Sequence, residues 1–222
     1  MKNLIKTAIA LSLITIFYNI IEGLISVYFG AGDETLALLG FGVDSFVEVI
    51  SGIGIAHMIF RMKYSKVQTR DSFEKTALKV TGTAFYLLTA GLIAGSVLNI
   101  IFNIKPETTV PGIIIGVISI ITMYWLMNSK LKIGKEINSD AIIADANCTK
   151  TCFQLSFILL AASGLYELLH IPYFDILGSL GIAYFAYKEG KEAFEKVRSG
   201  NLMCNCSDHT IESAQNVELK SK

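Results

Sequence analysis

Charge of one sign is missing from this sequence: 19 Lys and Arg stand against 19 Asp and Glu, and the formal net charge is zero. That excludes the electrostatic footprint of a nucleic-acid-binding protein. Cysteine is sparse. The four present form two pairs, Cys148/Cys152 and Cys204/Cys206, and neither is spaced like a secreted disulfide scaffold. No glycine-rich strand–helix turn offers a phosphate loop. No nucleophile–base arrangement suggests catalysis, so an enzyme is not expected. Charged residues make up only 17% of the chain against 52% apolar residues, with a mean hydropathy of +0.53. A water-soluble protein of 222 residues has no core large enough to hide that much apolar surface.

What is abundant is long hydrophobic runs. A membrane helix needs about 20 mostly apolar residues, and six stretches qualify: 4–30, 35–60, 76–102, 111–128, 140–166 and 172–187. The first is too long for a signal-peptide core and no small-residue cleavage site follows it, so it is read as a helix that stays in place. Pro111 and Pro172 stand at helix starts, where a missing N–H does no harm. The expected fold is an all-α polytopic membrane protein of six transmembrane helices. Residues 1–198 form the membrane domain, and 199–222 form a polar tail without helical or strand period.

The connections alternate in charge. Arg61, Lys63, Lys66, Arg70 and Lys75 crowd one; Lys130, Lys132 and Lys135 another; Lys188, Lys191, Lys196 and Arg198 follow the last span. The intervening connections hold only Lys105. The positive-inside rule places both termini in the cytoplasm of a cell-membrane protein.

Ionisable residues within spans are costly, so each needs a reason. The second span carries Asp44 and Glu48 in GFGVDSFVEVIS, and the fifth carries Asp145, Cys148, Lys150 and Cys152 in ADANCTKTC. Residues four apart share a helix face, so each pair, Asp44/Glu48 and Cys148/Cys152, can offer two ligands to one point. Two facing helices would supply the four that a zinc-like ion takes. At 1.5 Å per residue, Glu48 lies about 19 Å and Cys148 about 15 Å from the inner boundary, with Asp44 and Cys152 one turn further out. Both pairs are thus expected in one mid-membrane slab. Carboxylates and thiolates together suit zinc, thiolates favour cadmium, and magnesium and calcium want all-oxygen shells. Thiols lose protons on binding metal, which makes the cysteines candidate proton carriers. Lys150 is the expected neighbouring cation, pointing away from the cysteine face and pairing with Asp145 or another acid. Asp145 and Asn147 are candidate accessory residues.

On these residues the chain resembles the cation diffusion facilitator family of zinc, cadmium and manganese transporters. That family has six spans, both ends cytoplasmic, an Asp-x-x-x-Asp pair in its second span and His-x-x-x-Asp in its fifth, after an Ala-Asp-Ala-like run. Here Asp44-Ser45-Phe46-Val47-Glu48 and the run from Ala144 to Cys152 match in position, with Glu in one place and Cys in two; Asp175 matches an aspartate near the start of the sixth span. The likeness covers roughly 4–198. It implies a transport site of Asp44, Glu48, Cys148 and Cys152, metal/proton exchange by alternating access, and a homodimer. Residues 199–222 are not expected to form the family's cytoplasmic metal-binding domain. The two cysteines shift the expected cargo toward thiophilic ions, Zn2+ or Cd2+ first; no resident cofactor is expected.

Other readings stay in view. They are a soft-metal carrier for mercury, lead or copper working in the other direction, and a membrane thiol redox or metal-sensing protein without transport. Cys204, Cys206 and His209 in the tail are candidates for metal capture at the cytoplasmic mouth, weighed evenly against an inert tail. Glu22 is expected in the outer vestibule or snorkelling, and His57 at the interface. Gly40, Gly42, Gly52 and Gly54 are expected to let helices approach closely.

Overall fold

A computed structural model of the chain describes residues 2–33, 35–62 and 72–199. It is an all-α polytopic membrane protein of six helices, α1 Lys2–Gly32, α2 Leu36–Met62, α3 Ser72–Phe102, α4 Val110–Glu136, α5 Asp140–Leu169 and α6 Tyr173–Ser199. Lipid offers no partner to a backbone N–H or C=O, so each apolar run closes its hydrogen bonds within itself as a helix. Among the described residues, five helices are long and apolar enough to cross a membrane by themselves. α6 carries a charged second half and is the exception. It runs antiparallel to α3, from Ser96 beside Ser179 to Gly82 beside Phe194, about 21 Å along a spanning helix. Packing thus carries α6 across with its neighbour. Large apolar side chains such as Phe17, Tyr28, Leu87, Ile121 and Leu177 cover the outside of the bundle, a surface suited to lipid.

Neighbouring helices alternate in direction, and the strongest pairings are α1 with α2, α4 with α5 and α3 with α6. Small residues set the spacing. At the α1–α2 contact a Cβ on Gly42 would lie 2.8 Å from Val27 N, and one on Gly30 would overlap Leu39 N and lie 2.7 Å from Leu39 Cα. Neither backbone can give way. Gly30→Ala should therefore lower stability by about 1–3 kcal/mol through overpacking, read as a loss of thermal stability in detergent. Gly32→Ala, whose Cβ would meet nothing within 4 Å, is the matched control and should leave it unchanged.

The helix ends are tied across the chain. Asp175 at the start of α6 accepts hydrogen bonds from Leu36 N at 3.0 Å and Ala37 N at 3.2 Å. It caps α2 from a different helix and answers donors that α2 cannot satisfy itself. Ser139 caps α5 by accepting from Ile142 N. α4 departs from the sequence expectation. It continues through Glu136 rather than ending near 128, so much of the basic connection is helix. The reason is a buried stripe, Met123, Leu126, Lys130 and Ile133, that keeps helical period past the apolar run. Lys63, Lys66, Arg70 and the tail candidates Cys204, Cys206 and His209 lie outside the described residues.

Candidate functional site

The site forms where α1, α2 and α5 meet. Cys152 is buried on α5, and its thiol donates a hydrogen bond to Glu48 Oε2 on α2. Asn19 Nδ2 on α1 donates to the same oxygen at 3.1 Å. A carboxyl and a thiol from two predicted pairs are therefore in direct contact inside the bundle. They border a cavity of about 40 Å³, lined also by Thr15, Ser51, Asp145, Cys148, Thr149 and Glu189. That volume accommodates a cation with a few waters.

The two pairs meet at one level, through one member of each. At the expected depths, about 19 Å for Glu48 and one turn beyond about 15 Å for Cys152, these two stand nearly level, and in the structure they meet. Because α2 and α5 run in opposite directions, Asp44 then lies a turn to one side of this contact and Cys148 a turn to the other. Along the bundle axis they are about 12 Å apart. Cys148 reaches the cavity and Asp44 does not line it. Among the described residues, no three His, Cys, Asp or Glu side chains converge closely enough to hold a metal ion. The four candidates thus do not share one point in this arrangement. Asp44 is nonetheless buried, and its Oδ1 has no hydrogen-bond partner among the described residues. A buried carboxylate oxygen left without a donor is rare.

The accessory expectations divide. Asp145 lines the cavity, but its cation is not Lys150, which is exposed. Lys130, fully buried on α4, pairs with Asp145 Oδ1 at 3.0 Å. Lys150 faces outward because it lies two residues from each cysteine, on the far side of α5. Asn147 is half-buried and does not line the cavity.

Glu22 is neither in a vestibule nor snorkelling. It is 5% exposed and accepts from Tyr18 Oη at 2.9 Å and Ser45 Oγ at 3.2 Å. His57 sits beside the fully buried Glu74 carboxylate at 3.4 Å, which also pairs with Arg61 at 3.3 Å.

Four contributors escaped the sequence reading: Asn19, Ser12, Lys130 and Glu189. A signal for the first two was present. Ser12, Asn19 and Ser26 recur every seven residues on α1 with Glu22 between, and all are buried; that is a polar stripe on one helix face. Glu189 lies beyond the end of the sixth expected span, 172–187, yet it accepts from Thr151 Oγ1 at 2.9 Å and lines the cavity. The small residues Ala183, Ala186, Gly190 and Ala193 keep that part of α6 packed in the bundle. No protein-family model matches the chain and no curated protein matches it, so the functional reading rests on the chemistry of these residues.

Proposed function

We propose that the protein transports a divalent heavy-metal cation, Zn2+ or Cd2+, by metal/proton exchange, after the manner of the cation diffusion facilitators. One observation carries the reading: the Cys152 thiol rests on the Glu48 carboxyl at the wall of a cavity that also holds Cys148, Asp145 and Glu189. Acids and thiols enclosed in an apolar bundle are costly unless a cation or proton occupies them. A thiol beside a carboxylate suits a zinc-like ion better than an alkaline-earth one.

The thiol proton lies between sulfur and oxygen, where a metal would bridge them. Binding therefore expels that proton, and release takes one back. Asp145, Cys148, the Glu48–Cys152 contact and Asp44 follow one another along the bundle axis. A rocking of α1–α2 against α4–α5 that shortens the axial gap between Asp44 and Cys148 would complete a four-ligand site in mid-passage. By the positive-inside rule the basic face is cytoplasmic; export from the cytoplasm across the cell membrane follows from the family resemblance. A homodimer follows from the family resemblance. The second reading, a carrier for softer ions such as mercury or monovalent copper, is favoured by the presence of two thiols on the path.

The test is metal flux into proteoliposomes containing a metal-sensitive dye. Zn2+ and Cd2+ should give signal that Asp44→Ala and Cys148→Ser abolish. Raising the pH on the loading side should strengthen apparent metal affinity, by up to about tenfold per pH unit for one released proton. Flux that is pH-independent and survives both substitutions would end this reading. A thiol/disulfide change without flux would support a redox protein instead.

A further inference from the structure

Lys130 is fully buried within the bundle, its side chain 1% exposed. An ammonium at such a position needs a reason. Its Nζ donates to Asp145 Oδ1 and to Thr149 Oγ1, each at 3.0 Å, while Asp145 Oδ2 accepts from Ser12 Oγ at 2.6 Å. Both carboxylate oxygens are engaged, yet Asp145 also lines the cavity shared by Cys148, Cys152 and Glu48. On α5, Asp145, Cys148 and Cys152 fall at i, i+3 and i+7, which is one helix face. They rise about 4.5 Å and then about 6 Å from the basic end. The first acidic group on this face, coming from that end, already carries a cation supplied by the protein.

We propose that Lys130 is a built-in stand-in for the transported ion: its ammonium holds Asp145 while the cavity is unloaded, and an entering divalent cation takes Asp145 from it before passing to Cys148 and the Glu48–Cys152 contact. This rests on the transport reading above. The exchange is electrostatic and breaks no covalent bond. A divalent cation interacts with the carboxylate about twice as strongly as an ammonium at equal distance. A monovalent cation gains no such advantage, and it competes against a tethered ammonium at high effective concentration. Lys130 thereby makes the path selective for divalent over monovalent ions. Thr149 keeps a partner for the displaced ammonium.

The experiment uses the full chain, purified in detergent and in proteoliposomes, with Cd2+ as probe and thiolate-to-cadmium absorption as readout. Lys130→Met should bind Cd2+ roughly tenfold more tightly, the size of effect typical for a group adjoining a metal site. It should also release Cd2+ more slowly and become sensitive to competing Na+. Adding Asp145→Asn should remove all three changes. A merely structural lysine would not create Na+ sensitivity. A folded Lys130→Met protein with unchanged or weaker Cd2+ binding overturns the proposal.

If Lys130→Met does not fold, Asp145→Asn decides alone. Cd2+ flux should fall roughly tenfold while equilibrium binding at Glu48–Cys152 changes less than about threefold; unchanged flux overturns the proposal. A wild-type protein that neither binds nor moves Cd2+ overturns the transport reading and this proposal with it. A wild-type protein that does both, with variants behaving like it, overturns the role of Lys130 alone.

Discussion

Glu48→Gln is expected to reduce metal flux at least about 100-fold while leaving the bundle folded, a loss at the upper end of what disturbing a metal site's surroundings causes. The amide retains the shape of the side chain and an oxygen that can accept from Asn19 Nδ2 and the Cys152 thiol, the two bonds Glu48 Oε2 makes now. What disappears is the negative charge and the oxygen a zinc-like ion would take. Fold is monitored by helical circular dichroism and a single gel-filtration peak in detergent; function is read as dye signal in proteoliposomes. Wild-type flux from a folded Glu48→Gln protein would remove the Glu48–Cys152 contact from the mechanism.

The second large effect concerns stability. Lys130→Met should cost about 3–5 kcal/mol, because removing one member of a buried pair leaves the other charge uncompensated. Among the described residues, the Asp145 side chain would retain the hydrogen bond from the Ser12 hydroxyl. The double change Lys130→Met with Asp145→Asn should recover most of the loss, since neither charge is then stranded, and the non-additivity measures the coupling of the pair. Thermal unfolding in detergent reads both. Lys150→Met is the control. It lies on the same α5 segment but is exposed, so its removal should change stability by less than about 0.5 kcal/mol. Equal effects from Lys130 and Lys150 would show that the buried ion pair contributes nothing to the fold.

The two lysines also illustrate how far a sequence reading reaches. Lys150 sits amid the metal-type residues in the sequence and was expected to be their counter-charge. Lys130 sits in a basic connection and was read as a topology marker. Helix α4 reverses those roles because its buried stripe runs on past the apolar segment to Ile133. The heptad of Ser12, Asn19 and Ser26 on α1 was equally readable, and it marks the face that packs on Glu48 and Asp145. Glu189 was harder to find. Its charged neighbours on α6 point to water, and only the small-residue face against α3 and α5 brings it to the cavity.

Sequence by itself determined the helical spans, their alternating directions and the residues worth suspecting. It does so because a backbone in lipid must satisfy its own hydrogen bonds, and because buried charge is rare enough to stand out. Tertiary structure alone decided that the pairs touch through Glu48 and Cys152 while Asp44 stands away from the cavity. α2 itself is held by the close approach of α1 at Gly30 and Gly42 and by Asp175 of α6 capping its start. These contacts join residues distant in the chain, and no local pattern encodes them. A shift of one helical turn, about 5.4 Å, separates four ligands around one point from the single Glu48–Cys152 contact seen here.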